Sequence, residues 1–325
     1  MHDTLKTLMQ ASPVTGLAVA TVTDRTIHTT YLGTWDDAPI TAETIWPVAS
    51  LTKPVFSVGV LQLVQQGLLE LDRPLQAYLP QPYLAGVDFL DEITARHTLT
   101  HTSGLPNWRD SQGLRTLFRP GSRFSYSSEG LNYLQHVVEH LLSKSMADYL
   151  REHLFLPLDM PDTILEAETE ASLGPHLGFL AAALPANGAL SLRTTLHDYA
   201  HFVQAMLTAD SRLLRSEMHR EMLTPHSPVG VFEQLHWGLG WGLQQADREW
   251  SFWHWGARGI PRTMNVAVGW PDRHEAILIF TNHADGLYLC REIIQATFPG
   301  RAFPAFDWLL PARDWRADGS RPSPV

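Results

Sequence analysis

Residues 44–72 read TIWPVASLTKPVFSVGVLQLVQQGLLELD, and the rest of the chain is organised around this stretch. An apolar approach over residues 45–49 leads to Ser50. Beyond it, apolar residues recur at helical spacing and Gly67 stands near the end of the pattern. These apolar residues are Val55, Val58, Leu61, Leu63, Val64 and Leu68. The spacing predicts a helix with Ser50 at or near its N-terminus, where backbone N–H groups point at whatever the hydroxyl attacks.

Lys53 follows Ser50 by three residues, so a helix places its amine beside the hydroxyl. A serine needs a base within hydrogen-bond reach, and a lysine serves as that base when its surroundings lower its pKa. The chain has only three lysines (Lys6, Lys53 and Lys144) among 24 basic residues, so position 53 keeps the residue that can deprotonate where arginine cannot. Pro54 removes a helix N–H and predicts an irregular first turn. The structural alternative is that this Ser-x-x-Lys spacing arose by chance.

Bulk composition limits the classes of protein to which the chain can belong. Its 325 residues and 44% hydrophobic content can bury a large core, as one big domain or two coupled lobes. The net charge of −10, without a basic block, argues against nucleic-acid binding, and the single Cys290 excludes an internal disulfide. No signal peptide is visible, and the nearest candidate for a membrane span, residues 177–192, is interrupted by polar residues, proline and glycine. These features predict a cytoplasmic protein without membrane insertion.

Strand patterns stand at both ends of the chain, and helical patterns lie between them. Strands are predicted at 16–22, 26–32, 250–255, 264–268 and 276–281, and helices at 3–10, after Ser50, and at 131–142, 146–155, 197–207 and 286–297. The economical fold is α+β, with one antiparallel sheet built from both termini and a mainly helical lobe inserted. We assign residues 1–297 to one catalytic domain, with the sheet lobe at about 1–48 and 225–297 and the helical lobe at about 49–224. Residues 298–325 form a C-terminal tail, whose end from 318 is predicted to be disordered.

A second candidate motif, RPGSRFSYSSEG at residues 119–130, precedes a predicted helix. Its Pro-Gly turn leads into an aromatic segment that contains Tyr126. Tyr126 is a candidate general base or acid if a cation lowers its pKa. Ser128, two residues on, is a candidate hydrogen-bond donor in the same cleft. The structural alternative is a buried tyrosine with a satisfied hydroxyl.

The third candidate motif is FWHWGARG at residues 252–259. In a strand, His254 and Gly256 face one side, and the flanking tryptophans at 253 and 255 face the other. Gly256 would let a substrate approach the backbone closely, and the Ala257 N–H is a candidate oxyanion donor. The structural alternative is a core histidine in an aromatic strand. We interpret the similar triplet at 236–238 as structural, and Ser103 as a turn serine.

Together, the three motifs resemble those of the serine β-lactamase and penicillin-binding-protein superfamily, especially its class C-like branch, which includes esterases and D-amino-acid-peptide hydrolases. SLTK at 50–53 resembles the nucleophile motif, residues 119–130 the tyrosine motif, and HWG at 254–256 the third motif. Further similar segments are QQGLLELDRPLQAYLP (65–80), LTHTSGLP (99–106), HLFLPLDMPDT (153–163), NGALSLRTTLHDYAHF (187–202) and WGLGW (237–241). The resemblance covers about residues 16–282 and implies a β-lactamase/transpeptidase-like fold.

The resemblance also implies roles for individual residues. Ser50 would be the acyl-forming nucleophile, Lys53 its proton partner and Tyr126 the second proton-transfer group. The oxyanion hole would consist of the backbone N–H groups of Ser50 and Ala257. No metal or cofactor is implied, and no metal-ligand spacing or cofactor motif is present in the sequence.

The chain departs from the family pattern at several positions. Ser128 occupies a polar position that is usually Asn, and His254 stands where lactamases carry Lys. A histidine that is largely neutral at pH 7 weakens the grip on a substrate carboxylate. Trp255 is unusual in a lactamase and is a candidate substrate contact, as are Arg258 and Arg262. These departures argue against efficient β-lactam hydrolysis more than against serine hydrolysis.

Three hypotheses for function follow. The first is a serine hydrolase that acts through an acyl-enzyme on small-molecule esters or small amides. The second is a β-lactamase or a D-alanyl or D-amino-acid peptidase. The third, from another class, is a catalytically idle relative that binds a ligand or a partner. The oligomeric state and the natural substrate cannot be derived from these patterns.

Overall fold

The computed structural model describes residues 1–110, 113–167, 186–259 and 262–310. Its strands are β1 Gly16–Thr23, β2 Ile27–Trp35, β3 Ala38–Pro39, β4 Trp46–Pro47, β5 Ile164–Leu165, β6 Leu192–Thr194, β7 Ser227–Val229, β8 Phe232–Trp237, β9 Gly242–Ala246, β10 Glu249–Arg258, β11 Thr263–Trp270 and β12 Glu275–Thr281. Its α-helices are α1 His2–Gln10, α2 Thr52–Gln65, α3 Ala95–Leu99, α4 Ser128–Leu142, α5 Met146–Leu150, α6 Leu196–Leu207, α7 Ser216–Met222, α8 Gly286–Thr297 and α9 Ala305–Leu309. Short 3₁₀ turns occur at Ala49–Leu51, Leu75–Tyr78, Leu90–Glu92 and Pro271–Arg273, and a π turn at Arg151–Phe155 continues α5.

The central sheet is antiparallel and combines both ends of the chain. Its strand order is β3-β2-β1-β12-β11-β10-β9-β8-β7. The N-terminal β1 pairs with the late strand β12, so that Leu17 lies opposite Thr281. Between the two ends lies the helical lobe, which also holds a small sheet in the order β4-β6-β5. The predicted α+β architecture, with a sheet built from both termini and an inserted helical lobe, is confirmed.

The side chains of β1 alternate between the two faces of the sheet, and both faces are covered by a core. Successive side chains of a strand point to opposite faces. Ala18 and Ala20 therefore join the core shared with the helical lobe, while Leu17 and Val19 join a second core on the other face. Helix α6 packs on β1 from the first side, and α1 and α8 supply apolar side chains to the second core. A strand buried on both faces reads as the continuous apolar run GLAVATV.

Helix α2 lies at the centre of the helical lobe. All of its residues from Thr52 to Leu63 are buried, so no polar stripe faces solvent. A helix that is apolar around most of its circumference belongs inside a core. The buried helix therefore fixes the position of the residues at its N-terminus.

The other predicted elements agree with the structure within a few residues, and two differences bear on the site. The sheet gains β7, β8 and β9, where the sequence indicated only a strand or turn at residues 236–243, and β8 ends at Trp237, inside the triplet interpreted as structural. Residues 298–310 continue the fold, because α9 packs into the second core, whereas the predicted disorder from 318 lies outside the described residues. The apolar run at 177–192 also lies partly outside them. None of the helices in the described ranges combines the length and apolarity needed to cross a bilayer.

Candidate active site

Ser50 lies on the 3₁₀ turn Ala49–Leu51, directly before α2. The irregular first turn predicted from Pro54 is thus confirmed. Ala49 has a φ of +49°, a left-handed conformation that costs free energy in a non-glycine residue and often occurs at functional sites. Two hydrogen bonds hold the turn: Thr52 Oγ1 donates to the Ala49 carbonyl at 2.6 Å, and the Tyr199 hydroxyl donates to the Leu51 carbonyl at 2.8 Å. The Ser50 side chain is partly exposed on this fixed turn.

Lys53 lies one turn further on, with its Nζ 2.9 Å from Ser50 Oγ. The pairing predicted from the spacing is therefore present. Lys53 is 1% exposed, and burial lowers the pKa of its amine well below the ordinary value. Burial favours the neutral amine, which is the form able to accept a proton from Ser50.

The turn at residues 187–190 supplies a second partner for Lys53, which sequence analysis missed. Lys53 Nζ donates to the Ala189 carbonyl at 2.8 Å. Asn187 Oδ1 accepts from the N–H groups of Ala189 and Leu190, at 3.0 and 3.1 Å, and so shapes the turn. Gly188 fits against Phe56, because a Cβ there would lie 2.2 Å from that ring. The sequence NGAL signals a turn, but nothing in it indicates that a carbonyl would orient the lysine.

Tyr126 borders the Ser50–Lys53 pair through its ring and its hydroxyl. Lys53 Nζ lies 4.9 Å from the ring centroid. The hydroxyl is fully buried and makes no hydrogen bond of ordinary geometry with any described atom. Burial raises the pKa of Tyr126 well above its ordinary value, and the nearby Ser50 side chain lowers it by less. The condition stated from the sequence, a pKa lowered by a cation, is not met: the environment keeps the phenol protonated, because desolvation outweighs the opposing interaction.

His101, to which sequence analysis gave no role, holds Tyr126 from behind. Its ring lies 4.3 Å from the Tyr126 ring, and its Nδ1 accepts the Ser127 N–H at 3.1 Å. Because Nδ1 accepts, the ring proton of neutral His101 is on Nε2. Burial lowers the pKa of His101 well below its ordinary value, with a smaller contribution from Lys53. The only sequence signal was its place in the family-like segment LTHTSGLP.

Ser128 does not donate into the cleft, contrary to the sequence-based expectation. Its hydroxyl donates to Asn107 Oδ1 at 2.8 Å, and its N–H also lies against Asn107. The reason is that Ser128 begins α4, whose unpaired first N–H groups are satisfied by the preceding loop. Next to it, the fully buried Glu129 forms an ion pair with Arg109 at 2.7 Å. The loop at 107–109 thus fixes the N-terminus of α4, just after Tyr126.

Gly256 on β10 serves a different purpose from the one predicted. A Cβ at this position would lie 1.9 Å from the Val48 carbonyl oxygen and 3.3 Å from the Leu51 nitrogen. The space is therefore filled by the Ser50 turn of the chain itself, not by an approaching substrate. This contact brings two backbones together, and the N–H groups of Ser50 and Ala257 come from these two backbones. The Ala257 side chain is exposed.

His254 is fully buried on the same strand. Its Nδ1 lies 2.7 Å from the Trp255 carbonyl oxygen; since a carbonyl only accepts, Nδ1 carries the proton. Its Nε2 is buried and has no hydrogen-bond partner among the described atoms. Burial is the main cause that lowers the pKa of His254 to about 3, and Lys53 adds to the effect when its amine is protonated. The side chain is thus neutral and offers a substrate carboxylate no positive charge, in agreement with the weak carboxylate binding expected from the sequence.

Further aromatic side chains pack next to Tyr126. The Trp255 ring lies 4.9 Å from Tyr126 and 5.3 Å from Trp308 of α9, and Trp308 lies 6.2 Å from Phe124. These four half-buried side chains, Phe124, Tyr126, Trp255 and Trp308, are called the aromatic wall below.

The other predicted contacts and sites can also be located. Arg258 is buried on β10, and Arg262 is exposed. Among the described residues, no group of three or more His, Cys, Asp or Glu side chains is arranged to hold a metal ion.

Comparisons with known proteins agree with this fold. A family model described as Beta-lactamase matches residues 1–290. Penicillin-binding protein 4* of Bacillus subtilis (strain 168) is 28% identical over 293 residues, which span 75% of this chain and 60% of that protein. Esterase EstB of Burkholderia gladioli is 34% identical over 171 residues, 42% of this chain and 43% of that protein. The chain thus spans 60% or less of the length of these two relatives. A solved D-stereospecific amidohydrolase from Streptomyces sp. is similar in fold, with a TM-score of 0.74 at 20% identity, covering 93% of this chain and 100% of that one.

Proposed function

The chain belongs to the beta-lactamase family, and from that premise we propose that it is a serine hydrolase that forms an acyl-enzyme on Ser50 and cleaves esters or small amides. The observation that supports this best is the buried Lys53 amine, 2.9 Å from the Ser50 hydroxyl and with a lowered pKa. A neutral amine in this place is a general base for the hydroxyl.

In the proposed reaction, Lys53 takes the proton of Ser50 as Oγ attacks the carbonyl carbon. The negative charge on the carbonyl oxygen is stabilised by the N–H groups of Ser50 and Ala257. As the bond to the leaving group breaks, the Tyr126 phenol gives its proton to that group, and the Lys53 ammonium returns a proton to Tyr126. Water then hydrolyses the Ser50 ester and restores the hydroxyl.

A second candidate is hydrolysis of lactams or D-amino-acid amides, which the names of a penicillin-binding protein and a D-stereospecific amidohydrolase among the similar proteins favour. The neutral His254 and the aromatic Trp255 support uncharged substrates instead, because lactams and D-alanyl peptides carry a carboxylate beside the reacting carbonyl. A ligand-binding relative without catalysis is the third candidate. The pairing of Ser50 with a buried amine supports catalysis over binding alone.

Covalent labelling tests the nucleophile. A fluorophosphonate probe should add one label to the wild-type protein and none to Ser50→Ala, as measured by intact mass. Ser57→Ala is the matched control, because Ser57 lies buried on the same helix and donates to the Lys53 carbonyl at 2.8 Å. It should label like wild type. Equal labelling of Ser50→Ala and wild type would refute the assignment.

A further inference from the structure

The aromatic wall includes a residue from beyond the part of the chain that the family model matches. That match ends at residue 290, whereas Trp308 belongs to α9. The helix is held firmly: Ala305 and Phe306 are buried in the second core, and the Ala305 N–H donates to Gln244 Oε1 at 3.0 Å. Trp308 also lies 5.9 Å from Trp253. The C-terminal segment therefore presents Trp308 at a fixed place beside Trp255.

The wall begins at the reacting groups. Lys53 Nζ is 2.9 Å from Ser50 Oγ and 4.9 Å from the Tyr126 ring, and the Trp255 ring lies 4.9 Å from the same Tyr126 ring. A general acid protonates the group that departs, so the leaving group must lie against Tyr126 when the bond breaks. Because Trp255 lies 4.9 Å from Tyr126 and Trp308 lies 5.3 Å from Trp255, we expect a group that extends from the leaving group along these rings to contact both tryptophans.

The chemistry of the wall limits what it can bind. Trp255 and Trp308 are uncharged, and burial keeps the Tyr126 phenol protonated. The neighbouring His254 is neutral because its pKa is about 3. Flat aromatic groups pack favourably against tryptophan edges and faces, whereas a carboxylate placed here would lose its hydration without gaining a cation.

We propose that the aromatic wall binds an uncharged aromatic leaving group, and that Trp308 is a specificity-determining residue for it. This proposal rests on the proposed function, because it assigns the leaving group of the same reaction. In that reaction the bond from Ser50 Oγ to the acyl carbon forms, the ester bond to an arylmethyl alcohol breaks, and the alcohol departs with the Tyr126 proton.

Two acetate esters test the proposal. 2-Naphthylmethyl acetate and ethyl acetate share the acyl group and release primary alcohols, so they differ mainly in what meets the wall. In a pH-stat assay, Trp308→Ala should lower kcat/KM for the naphthylmethyl ester by about tenfold, which corresponds to about 1.4 kcal/mol, because the ring contact with the leaving group is lost. Ethyl acetate should change by less than about twofold, which lies within the effect of a surface substitution. Trp308→Phe should retain most of the preference.

The control variant is Trp250→Ala, which removes a half-buried tryptophan from the far end of β10, where its ring contacts His236 at 5.7 Å. It should leave the ratio between the two esters unchanged. An equal loss for both esters in Trp308→Ala, or no loss for either, would overturn the proposal.

A binding arm separates this proposal from the proposed function. Calorimetric titration of the Ser50→Ala protein with 2-naphthylmethanol should show binding that Trp308→Ala weakens by about tenfold, by the same conversion. If wild type hydrolyses neither ester but Trp308→Ala still weakens the binding of naphthylmethanol, the proposed function fails while the proposal that the aromatic wall binds aromatic groups is supported. If esters are hydrolysed through Ser50 but naphthylmethanol binds equally with and without Trp308, the wall proposal fails alone.

Discussion

Ser50 and Lys53 are brought together by the short 3₁₀ turn that leads into α2, whereas Tyr126 is placed by side chains from distant parts of the chain. The first pair is three residues apart, and its side chains are 2.9 Å apart. The Tyr126 ring instead packs on His101, Trp237 and Trp255. Helix periodicity fixes the first geometry and tertiary packing fixes the second. Substitutions in the two regions should therefore differ in what they cost, and the predictions below use that difference.

The largest effect is expected within the helical pair. Lys53→Arg keeps a positive charge and removes the base, so acylation should slow by roughly a hundredfold to ten-thousandfold, the usual contribution of general acid–base catalysis. Lys53→Met, which carries no charge to bury, should show the same loss. Lys144→Arg is the matched control, because Lys144 lies at the surface in an ion pair with Glu152. Near-wild-type turnover in a folded Lys53→Arg or Lys53→Met protein would contradict the assigned role.

The next effect concerns the anchor of the Tyr126 region. Glu129 is fully buried, and its Arg109 partner is 24% exposed. Glu129→Gln leaves the arginine without its counter-charge and should lower the free energy of unfolding by about 3 kcal/mol, the lower end for a buried pair that loses one partner. Asp72→Asn breaks a surface pair with Arg96 and should cost about 1 kcal/mol or less. Urea unfolding measures the free energy of unfolding of both variants. Equal decreases would show that the buried Glu129–Arg109 pair stabilises the protein no more than the surface pair does.

A smaller effect is expected at His101, which positions Tyr126. His101→Phe keeps a ring against Tyr126 but leaves the buried Ser127 N–H unpaired, at a cost of about 1–3 kcal/mol. If His101→Phe also displaces Tyr126 from its catalytic position, kcat/KM should fall by about tenfold, which corresponds to about 1.4 kcal/mol. His101→Asn offers an amide oxygen to the Ser127 N–H and should lose less.

A double-mutant cycle separates positioning from loss of stability. If His101 acts through Tyr126, His101→Phe should have little further effect on acylation in a Tyr126→Phe protein. The two losses should add if His101 acts independently of the phenol. Additive losses would therefore reject the positioning role while leaving the hydrogen bond to Ser127 intact as a structural fact.

The same contrast explains how far the sequence could be interpreted. The Ser50 helix, the sheet from both termini and the Ser50–Lys53 pairing follow from local periodicity, which a single sequence displays directly. The Ala189 carbonyl that binds Lys53 could not be predicted, because it joins positions 136 residues apart and a carbonyl has no sequence signature.

The errors on the Tyr126 side have a common cause. The hydroxyl of Ser128 was expected to donate into the cleft, but it donates its hydrogen bond to Asn107 Oδ1. The room at Gly256 was assigned to substrate, but the Val48 backbone fills it. Both errors concern contacts with segments that are distant in the sequence. Neither residue spacing nor composition specifies which distant segment packs at a given position. Trp308 was missed because a short segment rich in Pro and Arg resembles a tail.

The smallest expected effect is a flat pH response at His254. The pKa of this side chain is lowered to about 3 by burial and by Lys53, whereas an ordinary histidine titrates near about 6.5. A lowered pKa means that the neutral form persists at every pH above about 3. Between pH 5.5 and 8.5, His254 should therefore give a substrate carboxylate no charge. The ratio of kcat/KM for p-nitrophenyl acetate to that for a cephalosporin should favour the ester and change by less than about twofold.

His254→Lys places an amine where the carboxylate would bind. A charge-assisted hydrogen bond contributes about 1.5–3 kcal/mol, so this variant should move the ratio towards the cephalosporin if the amine is protonated there. The wild-type ratio could instead shift towards the cephalosporin as the pH falls through about 6.5. That result would mean that His254 titrates like an exposed imidazole, so burial would not control its charge. If wild type instead prefers the cephalosporin throughout the range, the neutral histidine does not set substrate choice, and the lactamase candidate replaces the esterase.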